Sequence, residues 1–190
     1  MNKIWHLIFF LMMTFIGISA AEAKINIFPQ PRYIPPLSFY GDSGKAYRLK
    51  DFNADLLMAV VWSRRCGPCI SEMKNLNLFA KKTAEKGIKV ILISPEKEWK
   101  SIDERHTFLK RIGAPDLVSY LDRKANFADG MGMRVTPTVF LVNRNSEEVG
   151  QITGSVKWDD SDVLEYMLKF KEEVSEKLNQ KKSAEQQQQK

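Results

Sequence analysis

The chain has two cysteines, Cys66 and Cys69, and only Gly67 and Pro68 separate them. A structural disulfide stabilises a protein by closing a long loop of the unfolded chain, and so short a loop restrains almost nothing. The spacing therefore points to redox chemistry or to metal binding. Haem attachment requires His directly after the second Cys, where this chain has Ile70. A structural zinc site needs two further ligands. Beyond the N-terminal segment the only His is His106, and there is no second Cys pair. Redox chemistry is the reading these residues favour, and a metal-binding or protein-binding module is the non-enzymatic alternative.

Thiol chemistry depends on where the pair sits. Leu56–Trp62 is a continuous apolar run, the pattern of a strand buried on both faces. From Pro68 to Lys86, Ile70, Met73, Leu76 and Phe79 recur at helical spacing, and Gly87 ends that helix. The cysteines thus fall where a buried strand gives way to a helix. Free backbone N–H groups and the helix dipole favour negative charge there, and thiolate is the nucleophilic form. Cys66 is accordingly the attacking residue. Cys69, one turn further in, can reach back to resolve a mixed disulfide. Pro68 costs little in a first turn, whose N–H groups have no helical partner.

The other elements follow the same reasoning. Pro29, Pro31, Pro35 and Pro36 make residues 24–36 an extended lead-in. Leu37–Tyr40 and Ala46–Leu49 read as short strands around the turn Gly41–Gly44, and Ile88–Ile93 as a second buried strand. Trp99–Ile112 reads as a helix, Leu117–Leu121 as a strand and Lys124–Gly130 as a short helix. Thr138–Val142 and Val149–Ile152 alternate as strands, and Asp159–Leu178 is a long amphipathic helix. Four consecutive Gln mark Asn179–Lys190 as a polar, low-complexity tail, expected to fray. This alternation of strands and helices predicts an α/β protein: a central mixed sheet flanked by helices, with an N-terminal β extension and a central insertion.

Composition narrows the class. Of 190 residues 44% are hydrophobic and 27% charged, which suits one globular domain rather than a membrane protein. The N-terminus is the exception. Lys3, the apolar stretch Ile4–Ala20 and the small residues of Ala21-Glu22-Ala23 form a secretory signal pattern, with cleavage expected after Ala23. An uncleaved anchor is the alternative, although Ile4–Ala20 is short for a bilayer span. No Cys lies near that junction to carry a lipid. The formal charge of +6 survives processing, since Lys3 and Glu22 cancel. Basic and acidic residues are interleaved, so the surface reads as solvated, with no nucleic-acid partner. The expected organisation is signal peptide 1–23, lead-in 24–36, domain 37–178 and tail 179–190.

The chain resembles the TlpA/ResA-like branch of the thioredoxin superfamily, which includes the cytochrome-c-maturation thioredoxins. The likeness runs from about Pro35 to Phe170. It rests on Leu49-Lys50-Asp51-Phe52, Trp62, Cys66-Gly67-Pro68-Cys69-Ile70-Ser71-Glu72-Met73 and Leu121-Asp122-Arg123. It rests also on Gly132-Met133-Arg134-Val135-Thr136-Pro137-Thr138-Val139-Phe140-Leu141-Val142, with Gly154 and Trp158. A lone CxxC is a weak signal, and a CxxC followed some seventy residues later by Val-Thr-Pro-Thr is a strong one.

The resemblance implies a protein-disulfide oxidoreductase needing no cofactor and no metal, with Cys66 and Cys69 as the redox-active disulfide. It implies that Thr136–Pro137 is cis and pairs with an extended substrate segment, and it places Trp62 and Arg65 among the substrate contacts. Glu72 falls where the family carries an active-site Glu, expected to exchange a proton with Cys69. Val60 occupies the place of the buried Asp of cytosolic thioredoxins. Two departures stand out: Arg65 replaces the usual Trp before the first Cys, and Lys74 replaces a common proline. Arg64, Arg65 and Arg134 are expected to ring the thiols with positive charge. The family mostly reduces disulfides, often those of apocytochrome c or copper-site assembly proteins, with electrons from a membrane thiol shuttle. The expected protein is a monomeric, periplasmic or otherwise exported reductase, with an oxidase or isomerase as the alternative.

Overall fold

The computed structural model describes residues 23–188. The signal pattern that ends at Ala23 lies, apart from that residue, outside the described residues. The strands are β1 (Lys24–Arg32), β2 (Phe39–Tyr40), β3 (Ala46–Tyr47), β4 (Leu56–Val61), β5 (Ile88–Pro95), β6 (Val118–Asp122), β7 (Thr138–Asn143) and β8 (Glu148–Thr153). The helices are α1 (Gly67–Thr83), α2 (Ile102–Arg111), α3 (Asn126–Gly130) and α4 (Ser161–Gln188). The strands form one eight-stranded sheet in the order β1-β8-β7-β4-β5-β6-β2-β3. β4, β5 and β6 run parallel, whereas β7 is antiparallel to β4. This is the mixed sheet flanked by helices that the sequence predicts.

β4 is apolar throughout because both of its faces are covered. Successive strand residues point to opposite sides. Leu56, Met58 and Val60 therefore join Met73, Leu76 and Phe79 of α1, Phe108 of α2, and Met167 and Phe170 of α4. Leu57, Ala59 and Val61 join Phe39, Tyr120, Phe127 and Phe140 on the other side. Each fully buried side chain of this size contributes roughly 1.5–3 kcal/mol. The two packed layers fix the end of β4, from which the CxxC segment departs. Gly87, at φ 83°, takes the left-handed turn that returns the chain from α1 into β5.

Three elements differ from expectation. The lead-in contains a true strand: β1 pairs antiparallel with β8, and its pairing is irregular between Ile27 and Arg32, where Pro29 and Pro31 lie. An edge strand tolerates proline because one row of its N–H groups has no ladder partner. α2 starts at Ile102, not Trp99, because Ser101 caps it by accepting the Glu104 N–H at 3.1 Å. The final helix does not stop near Leu178 but continues to Gln188. Its inward stripe ends at Leu178, and the exposed residues beyond are mainly Lys, Glu, Ala and Gln, all good helix formers.

Candidate active site

Cys66 is the N-cap of α1, with extended backbone (φ −90°, ψ 106°), and Pro68 lies in the first turn. Cys66 and Cys69 are joined in a disulfide. The Cys69 N–H donates to Cys66 Sγ at 3.2 Å, so a free first-turn amide is directed at the outer sulfur. The sulfurs are unequal. Cys69 is fully buried, and Cys66 is partly exposed. A partner can reach Cys66 alone, which agrees with attack by Cys66 and resolution by Cys69.

Thr136–Pro137 is cis, as the sequence resemblance implies. The Thr136 carbonyl oxygen lies 3.5 Å from Cys66 Sγ. Its loop is tied down at both ends: the Thr138 hydroxyl donates to the Val135 carbonyl at 2.7 Å, and the Gly154 N–H to the Pro137 carbonyl at 3.0 Å. The loop therefore frames the sulfur with backbone polar groups. Val135, 52% exposed, supplies apolar surface beside it.

Glu72 is 4% exposed, three residues past Cys69 on the buried face of α1. One carboxylate oxygen accepts the Ser155 hydroxyl at 2.9 Å and the Val156 N–H at 2.8 Å. Burial pushes the carboxyl above the ordinary carboxylate range, and these hydrogen bonds only partly oppose it. A buried carboxyl can give a proton to a thiolate and take it back. Ser155 Oγ also lies 3.3 Å from the Pro68 carbonyl, so its single proton serves Glu72 or the CxxC backbone, one at a time. Val60 is fully buried and offers no proton acceptor, whereas Glu72 is the buried acid of α1. A cleft of about 750 Å³ between α1 and the start of α4 has Glu72 and Ser155 in its wall.

Trp62 requires correction. It is fully buried, with its ring centroid 5.9 Å from Trp99 and 6.3 Å from Phe108, and it belongs to the core beneath the site rather than to the substrate surface. The Arg ring is also incomplete. Arg64 turns away from the sulfurs, donates to Glu104 at 2.8 Å and lies over the ring of Trp99. Arg65 and Arg134 are exposed.

Glu98 carries no signal in the chain that marks it as part of the site. Its two carboxylate oxygens accept the Ser63 hydroxyl at 2.6 Å and the Arg64 N–H at 2.9 Å. Ser63 Oγ in turn accepts the Arg65 N–H at 3.0 Å. The three residues before Cys66 are thus held by one carboxylate from the β5–α2 connection.

A partly exposed sulfur at a helix N-terminus, a buried partner and a framing cis-proline loop define a thiol–disulfide oxidoreductase of thioredoxin-like fold. The chain belongs to the Redoxin family, whose profile matches residues 30–168. It is 25% identical over 131 residues to the thiol-disulfide oxidoreductase ResA of Halalkalibacterium halodurans, covering 69% of this chain and 71% of that one. It is 23% identical over 117 residues to ResA of Geobacillus thermodenitrificans, covering 62% and 65%. In fold it resembles a secreted thiol-disulfide isomerase of Corynebacterium glutamicum (TM-score 0.64, 19% identity, 83% of this chain and 96% of that one). It also resembles StoA of Bacillus subtilis (TM-score 0.56, 17% identity, 71% and 99%).

Proposed function

We propose that the protein is an exported, monomeric reductase of protein disulfides. The observation that carries the reading is the unequal burial of the two sulfurs at the start of α1. The Cys66 thiolate attacks one sulfur of a partner disulfide, that S–S bond breaks, and the other partner sulfur leaves as thiolate. Cys69, its proton passing to Glu72, then attacks Cys66 Sγ. The Cys66–Cys69 bond forms, the second partner thiolate leaves, and two electrons have moved to the partner. Thr136 and Pro137 hold the partner strand, and Arg65 lies beside it. A membrane thiol shuttle restores the dithiol. Disulfides of apocytochrome c or of copper-site assembly proteins are the substrates that the ResA likeness suggests.

Gly67-Pro68 between the cysteines favours the reducing direction, as in thioredoxin. Thioredoxin stands at about −270 mV and the oxidant DsbA at about −120 mV, a gap of roughly 7 kcal/mol for two electrons. Equilibration with glutathione should place this protein in the lower half of that interval. A potential near the DsbA end would make it an oxidase and end the reductase reading.

A further inference from the structure

Charge on the two segments that frame the disulfide is one-sided. Arg65 directly precedes Cys66, and Arg134 lies two residues before Thr136, whose carbonyl oxygen is 3.5 Å from Cys66 Sγ. One and two residues of chain span at most about 4 and about 7 Å, so the arginines flank the sulfur from two separate segments. Both are exposed, and among the described residues neither forms an ion pair. The acids next to the CxxC segment are already engaged, and the exposed Asp159, Asp160 and Asp162 lie across the Glu72 cleft. Glu98 holds Ser63 and Arg64, Glu104 holds Arg64 and the Lys100 N–H, and Glu72 is buried. The framing segments, residues 63–71 and 131–137, contain no Asp or Glu.

We propose that the redox face selects protein disulfides set in acidic segments. This rests on the reductase reading and names the substrate class of that site. Guanidinium groups bind carboxylates through paired N–H donors. The Arg65 backbone lies within about one Debye length, roughly 8 Å at physiological salt, of the reacting sulfur, and the Arg134 backbone within about 13 Å, well inside the roughly 30 Å screening length at about 0.01 M salt. They therefore act on the encounter more than on the equilibrium, because exposed pairs are individually weak. Exposed Val135, between Arg134 and the Thr136 carbonyl, offers apolar contact that suits an extended polypeptide rather than a bare anion. The sulfur chemistry is unchanged: partner carboxylates touch the arginines while Cys66 attacks the cystine between them.

The test uses the reduced full chain and three synthetic peptides, each with one internal disulfide flanked by Glu, Gln or Lys. Rates are divided by those with dithiothreitol, which removes the peptides' own differences in reactivity. The Glu peptide should react fastest and the Lys peptide slowest, with a spread of at least about tenfold at low salt. The spread should collapse at high salt. An Arg65→Glu/Arg134→Glu protein with an unchanged far-UV spectrum should invert the order. Equal normalised rates at low salt, or an order that survives the double substitution, would overturn the proposal. Glutathione disulfide, a small anionic substrate, should react more slowly than the Glu peptide; the reverse order would overturn selection of a polypeptide. The same ranking is read as mixed-disulfide yield with Cys69→Ser protein. Failure of net reduction is thereby separated from failure of charge selection.

Discussion

Replacing Glu72 with Gln should remove a specific component of the pH dependence of stability. Burial raises the Glu72 pKa above its ordinary 4.5, the Val156 and Ser155 hydrogen bonds lower it, and burial prevails. A carboxyl whose folded pKa exceeds its unfolded value binds more protons when folded. Its contribution is fully present below the unfolded pKa, falls as pH rises between the two values, and levels off above the folded pKa. Within that window one carboxyl changes stability by up to about 1.4 kcal/mol per pH unit. Glutamine offers an oxygen to the same two donors and does not titrate. The buried carboxyls of Asp122 and Glu148, also raised by desolvation, contribute equally to both proteins and cancel in the difference. Urea unfolding of the oxidised proteins from about pH 4 to about pH 9 supplies the curves. Wild-type stability minus that of the variant should be flat below about pH 4.5 and then decline with pH. A flat difference throughout, or one that rises with pH, would show that burial does not govern this carboxyl.

Two further expectations test the chain's other assignments. Cys66→Ala should abolish mixed-disulfide formation with a disulfide partner, whereas Cys69→Ser should accumulate it; equal trapping by both variants on non-reducing gels would erase the division of roles. Protein recovered from an exporting host should begin at Lys24 by N-terminal sequencing, and an intact Met1 would instead support a retained anchor.

The parts of the site governed by local chemistry could be read from the chain. The apolar run of β4, the helical spacing of α1 and the CxxC between them fix the position of the sulfurs, and Val-Thr-Pro-Thr marks the loop that meets them. Tertiary contacts decided the rest. The family resemblance put Trp62 among the substrate contacts, although the buried run Leu56–Trp62 already pointed inward, and the ring packs in the core against Trp99 and Phe108. Glu98 was invisible because its partners Ser63 and Arg64 lie 35 and 34 residues away. β1 was legible as extended but not as a strand, since its pairing depends on β8 more than a hundred residues later. Low complexity suggested a frayed end, whereas helix propensity carries α4 through it.

The long final helix also sets a practical geometry. α4 starts beside the Ser155–Val156 loop that touches Glu72 and runs for 28 residues. At 1.5 Å per residue its far end stands about 40 Å along the axis from the redox end. Residues 179–187 of its last turns are all exposed. A fluorophore, affinity handle or surface tether carried there would sit clear of the disulfide, leaving Cys66 open to incoming proteins while the molecule is held or watched from its opposite pole.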